Sequence, residues 1–543
     1  MTEQRKNNFI IQGSILAIAG IVSRIIGMLF RIPMLAIIGE DGMGVYSTAY
    51  SIYNILLMIS SYSLPQAVSK LISAKNAQNK FRNVRQIFWL SLMFGAVLGL
   101  AAAVVMTSAA EFFATTIMKM PEAVFAIRAL APTIFIMGVL GVMRGFFQGH
   151  GTMVPTAVSQ ILEQVLHVAI SLLAGYALFQ KGVAKDAGAG NYYASAYGAQ
   201  GATYGVLAGA ASALLFLIFV YLLFRKTLIA RCRKNKDEVL DRPSETLKAI
   251  LFTAFPVLLS AALSNLGTLL DQTIYAQYVG SDYRAIWGVY SSKYTVLINV
   301  PIAIATAMSS STMPTISAHI SRGEHAAARE KANSAFRFIL LIAVPAAIGL
   351  GVLGKPCFDL LFRSTDNTLA GRMMIYGSSA VLTYCFSTLS VGVLQGNNNF
   401  WVPIVNTLKA LALHLPLLAF SLWVLEWDII GVVINHVLLS LIICVLNLLA
   451  IRDRLQYRME FKRIIPRVLI CSAIMGAAAY FLYRFLHAHI GNTGSLLLTI
   501  PAAVFVYFVS ILLTGAVSRE ELKDMPQGRK IIRVADKLHL LHK

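Results

Sequence analysis

Two arginines in the first apolar segment of the chain have the type and spacing to bind an anion. Arg24 and Arg31 are seven residues apart in a segment that runs from Phe9 to Ile38. Seven residues make nearly two helical turns, so Arg24, Gly27 and Arg31 are predicted to share one face of a helix. An arginine against lipid would cost about 2.5–3.5 kcal/mol, and this face is therefore expected to meet protein or water. We expect this face to bind an anion.

Few other ionisable residues interrupt the apolar segments. Glu163 and His167 are four residues apart, a spacing that fits either a hydrogen-bonded pair or a proton relay. Asp271 sits among Leu269, Leu270 and Ile274, too apolar a context for a solvated face. Arg144 lies near the inner end of its segment and is expected to extend to the membrane interface.

The elements that must position these residues are transmembrane helices. The chain has 543 residues, of which 57% are hydrophobic and only 13% charged, and its mean hydropathy is +0.68. Apolar runs recur at about the 20 residues that span a bilayer, and they do not alternate as the strands of a barrel would. The first run carries arginines and lacks a cleavage site, so it is expected to be a retained helix. The composition predicts an all-α polytopic membrane protein.

Fourteen transmembrane helices are predicted. They cover residues 9–38, 44–72, 85–110, 122–148, 153–180, 200–224, 248–279, 284–318, 332–354, 370–395, 401–425, 429–451, 466–486 and 495–517. The net charge is +21, and most lysines and arginines lie in alternate connecting segments. The positive-inside rule then places both termini in the cytoplasm, with anionic membrane lipids as partners and no role for nucleic acid. Five scattered cysteines without a C-x-x-C pair predict neither a metal site nor disulfides.

An internal repeat divides the chain. The motif Gly44-Val45-Tyr46-Ser47 recurs as Gly288-Val289-Tyr290-Ser291, and two further matches follow in the same order, at Pro65 and Pro314 and at Gly145 and Gly392. Six helices per repeat predict two parallel lobes related by an axis along the membrane normal. The predicted domains are an N-terminal lobe at 1–228, a basic cytoplasmic linker at 229–247, a C-terminal lobe at 248–455, and helices 13 and 14 with a basic, amphipathic cytoplasmic tail at 456–543.

These spans, the repeat and the segment from Ser23 to Tyr46 resemble the multidrug/oligosaccharidyl-lipid/polysaccharide (MOP) exporter superfamily. The resemblance is closest to lipid II flippases of the MurJ type, in the Gram-positive branch that includes stage V sporulation protein B. It implies an alternating-access flippase with a central cationic cavity, which moves the undecaprenyl-pyrophosphate-linked peptidoglycan precursor to the outer leaflet of the bacterial cytoplasmic membrane. It also implies that no covalent bond is broken, so the chain is not expected to be an enzyme.

The resemblance also implies which residues bind the substrate. The first-helix arginines of the family match Arg24 and Arg31, and its eighth-helix arginine falls at Lys293, which keeps the charge but loses the planar fork. The second-helix arginine of the family has no match. A clamp of Arg24, Arg31 and Lys293 on a pyrophosphate is the expected site, and the alternative is that each cation pairs with an internal carboxylate for structure alone.

The sequence leaves open whether transport is coupled to an ion. Relatives that use sodium have a seventh-helix aspartate with an eleventh-helix asparagine and aspartate, which would correspond to Asp271, Asn406 and Ala410 here. Lys409 beside Ala410 could replace the ion, or form a buried ion pair with Asp271. No cofactor is expected apart from Na⁺ or H⁺ coupling.

Two other functions fit the same residues. One is a flippase for another lipid-linked polysaccharide or a teichoic-acid unit, which would need the same cations. The other is a non-transporting membrane scaffold that recruits cell-wall or spore-cortex synthesis proteins through its loops. A multidrug exporter fits less well, because cationic drugs require a carboxylate-rich cavity.

Overall fold

The computed structural model describes residues 3–60, 64–187, 190–234, 239–280, 283–363, 365–456 and 461–515, and within these ranges it is helical with no strand. The predicted all-α class is confirmed. The chain forms two compact units, Met1–Ser292 and Lys293–Lys543. The predicted basic tail and part of the predicted linker lie outside the described residues, and the four predicted domains stay a prediction.

The described part of the first unit contains nine α-helices and a π-helical segment. The α-helices are α1 (Glu3–Leu29), α2 (Arg31–Ser60), α3 (Leu64–Ala77), α4 (Phe81–Ser108), α5 (Ala123–Gly149), α6 (Val154–Asp186), α7 (Tyr192–Lys234), α8 (Pro243–Val279) and α9 (Arg284–Val289). The π-helical segment Phe112–Ile117 follows α4. A second π-helical segment, Tyr290–Tyr294, follows α9 across the boundary between the units.

The second unit contains seven described α-helices. They are α10 (Thr295–Ser321), α11 (His325–Leu361), α12 (Thr368–Gly377), α13 (Ala380–Gly396), α14 (Trp401–Trp423), α15 (Asp428–Leu455) and α16 (Phe461–Thr514). Its strongest helix contacts join α10 with α13 and α11 with α16.

Ten helical segments of the described chain are long and apolar enough to cross a membrane, or eleven if the bent pair α12 and α13 is one span. Two of them, Ile18–Met58 and Ile464–Thr514, contain a break at a glycine with positive φ, Gly39 at 70° and Gly491 at 68°. Glycine has no Cβ and adopts this conformation without strain. Each break falls between two predicted spans, but the number of fourteen and the orientation of the termini stay predictions.

The first predicted span is interrupted at one residue. The chain leaves α1 at Leu29 and enters α2 at Arg31, with Phe30 as the turn between them. The physical reason is Pro33, which has no N–H to donate to the carbonyl of Leu29. Helical hydrogen bonds continue on both sides of that position, since the N–H of Phe30 donates to the carbonyl of Ile26 at 2.9 Å and that of Met34 to the carbonyl of Phe30 at 3.2 Å. That Arg24 and Arg31 share one face stays a prediction.

A seam of glycines packs α7 against α6. Gly201, Gly205 and Gly209 recur at intervals of four residues, and a Cβ atom at any of them would overlap α6, at the carbonyl of Ala174, the hydroxyl of Ser171 or the carbonyl of Glu163. Small residues at this spacing let two helix backbones approach closely. The seam fixes α6, the helix that carries Glu163 and His167.

Candidate functional site

Arg31 is the predicted cation that the structure places most clearly. It is half-buried, and its guanidinium donates a hydrogen bond to the backbone carbonyl of Ser291 in the second π-helical segment. A π-helical turn pairs residues five apart instead of four, and such turns are frequent at functional sites. The guanidinium has five N–H donors, so this bond leaves others for an anion.

Aromatic side chains of α2 lie near Arg31. The rings of Tyr46 and Tyr50 stack with centroids 5.7 Å apart, and Tyr50 lies 5.5 Å from Tyr53. Arg31 lies near this tyrosine ladder, because its acceptor Ser291 also donates to the hydroxyl of Ser47, the neighbour of Tyr46 in sequence. A cation and a ladder of phenol rings therefore share one region of the first unit.

Arg24 lies in α1 with its side chain exposed, and it forms no ion pair with a described residue. Its charge is thus available on the surface of α1. The alternative that Arg24 is a structural cation with an internal carboxylate partner finds no support among the described residues.

The predicted pairing of Glu163 with His167 is wrong. Glu163 accepts a hydrogen bond of 2.7 Å from the guanidinium of Arg144, which also donates to the hydroxyl of Ser159 at 3.0 Å. Arg144 is buried, so the expectation that it extends to the interface is wrong as well. The reason is the short connection between α5 and α6, which makes these helices antiparallel neighbours and brings Arg144 opposite Glu163.

His167 is buried against the ring of Phe30, with centroids 5.0 Å apart, and its Nε2 atom has no hydrogen-bond partner among the described residues. The same holds for buried oxygen atoms of Gln160 and Gln164 on the same face of α6, and of Ser23 on α1. Buried polar atoms are nearly always hydrogen-bonded, to protein, water or ligand. Gln160, Gln164 and His167 therefore form a stripe of unpartnered polar atoms along α6, where water or a polar ligand can bind.

The two copies of the repeated motif cross each other inside the first unit. A Cβ atom at Gly44 would overlap the carbonyl of Arg284, and one at Gly288 would overlap the carbonyl of Glu40. The hydroxyl of Ser291 donates to that of Ser47 at 2.9 Å, across a separation of 244 residues. Thr48 and Ser292 each donate to the carbonyl of the glycine in their own copy. The contacts are reciprocal, and we call this arrangement the glycine crossing.

Lys293 is fully buried in the second unit. Its ammonium group donates to the hydroxyl of Thr365 at 2.8 Å and to the carbonyl of Asp366 at 3.0 Å, and it lies 5.8 Å from the ring centroid of Phe362. Hydrogen bonds from the hydroxyl and the backbone N–H of Thr368 lower the pKa of the Asp366 carboxyl. Lys293 thus anchors the loop between α11 and α12. The clamp that would combine it with Arg24 and Arg31 stays a prediction.

The residues considered for ion coupling lie in different units. Asp271 is fully buried in α8 of the first unit. In the second unit, Asn406 donates to the side chain of Asn447 at 2.9 Å, and Asn447 donates to Ser390 at 3.1 Å. Lys409 is exposed, so the expectation of a buried lysine on this helix is wrong. Among the described residues, no group of three or more His, Cys, Asp or Glu side chains is placed to hold a metal ion.

Sequence reasoning missed three features of the first unit: the glycine crossing, the Arg144–Glu163 pair and the unpartnered stripe on α6. The repeat already contained the two glycines, and their equivalence was the signal for the crossing. The stripe is visible as polar residues at 160, 164 and 167, which recur at helical spacing.

The chain is similar to several known proteins. A family model described as polysaccharide biosynthesis protein matches residues 12–320. Lipid II flippase MurJ of Bacillus subtilis is 24% identical over 486 residues, covering 86% of each chain. Stage V sporulation protein B of the same organism is 23% identical over 538 residues, covering 97% of this chain and 100% of the relative.

A solved structure of lipid II flippase MurJ in an inward closed conformation superposes with a TM-score of 0.64 at 15% identity, over 91% of this chain and 97% of the other. This similarity shows a shared fold. Because the matched model covers more than half of the residues, the chain belongs to the polysaccharide biosynthesis protein family, and its long apolar helices make it a multi-pass bacterial membrane protein.

Proposed function

We propose that the chain is an alternating-access flippase that moves a polyprenyl-pyrophosphate-linked glycan, most specifically lipid II, from the inner to the outer leaflet. The observation that carries the proposal is Arg31, a half-buried cation inside an apolar unit, next to a tyrosine ladder and a stripe of unpartnered polar atoms. The named relatives, a lipid II flippase and a sporulation protein, support the same class of function.

The chemistry required is binding without bond cleavage. A pyrophosphate must be kept away from hydrocarbon, and an arginine meets its oxygen atoms with two parallel hydrogen bonds. Arg31 supplies the buried contact and Arg24 the exposed one. Tyrosine rings combine an apolar face with a hydroxyl, so Tyr50, which is half-buried, suits the alternating apolar and polar faces of a sugar. The orphaned oxygen atoms of Gln160 and Gln164 accept hydrogen bonds from glycan hydroxyls.

The experiment measures the accessibility of labelled lipid II in proteoliposomes that contain the protein. We compare the wild type with Arg31→Gln and Arg24→Gln, and with Arg128→Gln as a control, since Arg128 is an exposed arginine of the same unit at 4.0 Å from Glu111. A hydrogen bond to a charged group contributes about 1.5–3 kcal/mol, so loss of Arg31 should weaken substrate binding about tenfold or more. Equal exposure of lipid II in the wild type and both site variants would overturn the proposal.

A second candidate is a flippase for another lipid-linked polysaccharide unit. The description of the matched family, polysaccharide biosynthesis protein, favours it. The same proteoliposomes loaded with a lipid-linked polysaccharide or teichoic-acid precursor discriminate between the two. Faster transfer of that precursor than of lipid II would select the second candidate.

Coupling to sodium or protons is a further part of the proposal. A buried carboxylate such as Asp271 suits a dehydrated cation, whereas Glu163 and His167 would serve a proton path. Replacing sodium with potassium should slow transfer if Asp271 binds sodium. An unchanged rate would remove sodium from the cycle.

A further inference from the structure

A cavity of about 720 Å³ opens at the linker end of the first unit. It lies between the start of α4, the end of α7 and the segment 239–243, and its lining includes Arg82, Arg85, Trp89 and Arg233. The positive-inside rule predicts that this end of the unit faces the cytoplasm.

Side-chain hydrogen bonds fix one wall of this cavity. The amide of Asn83 donates to the carbonyl of Val239 at 2.9 Å and accepts from the backbone N–H of Asp241 at 2.8 Å. Gln86 donates to the carbonyl of Asp241 at 2.8 Å. Asn83 is itself buried. The segment from Val239 to Asp241 is therefore attached to the first turns of α4, and the cavity is a built feature of the fold.

The lining is cationic. Among the described lining residues the only acid is Asp241, and its carboxylate forms an ion pair with Lys75. Arg85 and Arg233 are exposed into this region and form no ion pair with a described residue. Two guanidinium groups therefore remain for an external anion, and both are suited to phosphate.

The cavity is also amphipathic. Trp89 is 48% exposed and lies one helical turn beyond Arg85 on α4, and Leu90 and Ile229 add apolar surface. Tryptophan is enriched at membrane interfaces because its ring is apolar and its N–H is polar. A ligand that fits has an anionic head and an apolar continuation.

We infer that this cavity binds the phosphodiester headgroup of an anionic phospholipid, with Arg85 and Arg233 on the phosphate and Trp89 beside the glycerol and the first acyl carbons. Basic pockets between membrane helices are a known means of binding acidic headgroups. The site is separate from Arg31 and does not depend on which glycan the chain transports.

The test is native mass spectrometry of the full chain in detergent, titrated with phosphatidylglycerol or phosphatidylcholine. The site variant is Arg85→Gln with Arg233→Gln. The matched control is Arg452→Gln with Arg454→Gln, which removes two basic residues from the last turn of α15, also predicted to be cytoplasmic. Inorganic phosphate is titrated separately, to distinguish a headgroup from a free anion.

We expect the wild type to retain phosphatidylglycerol over phosphatidylcholine and the site variant to bind it about tenfold more weakly, with the control unchanged. Equal retention by the site variant overturns the inference, and so does an equal loss in the control, which would indicate general electrostatics. Binding of inorganic phosphate alone, with no preference for phosphatidylglycerol, also overturns it. Thermal unfolding of both variants shows whether they are folded, and lipid II transfer is not part of the readout.

Discussion

Gly44 and Gly288 occupy equivalent positions of the internal repeat, and each lies against the backbone carbonyl of the residue four positions before the other. The relationship is reciprocal, since Glu40 and Arg284 are also equivalent. The hydroxyl pair of Ser47 and Ser291 lies one turn further along. Two copies of one sequence motif therefore meet at a crossing where only glycine fits, and Arg31 donates to the backbone carbonyl of Ser291 in one of the two copies.

Substituting either glycine should open this crossing. In Gly44→Ala or Gly288→Ala, the added methyl group overlaps backbone that cannot move as a flexible side chain would, and overpacking of this kind typically costs about 1–3 kcal/mol. We expect a lower unfolding temperature in detergent and slower lipid II transfer. Gly20→Ala is the matched control, because nothing lies within 4 Å of its added atom. Wild-type behaviour of both crossing variants would contradict the close approach.

Breaking the Arg144–Glu163 pair should destabilise the first unit. Both side chains are largely buried, with 11% and 19% exposed, so Glu163→Gln leaves a buried cation without its partner. Loss of one member of a buried pair costs about 3 kcal/mol. The double variant Arg144→Gln with Glu163→Gln should recover part of the loss. Asp453→Asn is the control, since its pair with Arg452 is exposed and should contribute less than about 1 kcal/mol. Equal unfolding temperatures for Glu163→Gln and Asp453→Asn would exclude a structural role for the pair.

Lys293 should affect stability as well as transport. Lys293→Ala leaves the hydroxyl of Thr365 and the carbonyl of Asp366 without their buried donor, a loss of about 1–3 kcal/mol. Lipid II transfer and thermal unfolding are measured on the same preparation. We expect both to fall, because Lys293 positions a loop. A variant with wild-type unfolding and lost transfer would instead indicate that Lys293 contacts the substrate.

The Asp366 carboxyl should make a small, pH-dependent contribution to stability. Hydrogen bonds from Thr368 lower its pKa from 3.8 in the folded state, so the stabilisation is fully present above pH 3.8 and is lost as the pH falls through the lower folded value. We expect Asp366→Asn to unfold at a slightly lower temperature than the wild type near neutral pH. The two unfolding temperatures should converge as the pH falls below 3.8. If the difference between the two unfolding temperatures stays constant over this pH range, the effect of the substitution comes from packing and not from the charge of Asp366.

The sequence predicted the membrane class and the all-α fold, because hydropathy is a local property that survives in any packing of the helices. It did not identify the partner of Glu163. The i+4 spacing to His167 was as good locally as the pairing with Arg144, and only the packing of α5 against α6 decides between them. Gly39 was visible in the sequence, but its positive φ, which separates the first two predicted spans, is a property of the folded backbone.

The repeat also shows what a sequence match leaves undetermined. Gly44 and Gly288 could be matched by sequence, but a sequence match does not tell whether the two equivalent segments are in contact. Lys293 illustrates what a match to a family position leaves open. The match assigns a charge to this position, whereas the burial of that charge against Thr365 depends on a loop 72 residues away.

The glycine seam between α6 and α7 has a practical consequence for spectroscopy. Helices in backbone contact at three successive turns have no room to slide or separate without breaking that contact. Spin labels or fluorophores attached to the exposed faces of α6 and α7 should therefore report a constant distance in every state of the protein. The distance between the labels on α6 and α7 therefore serves as an internal reference against which the displacement of any other helix can be calibrated.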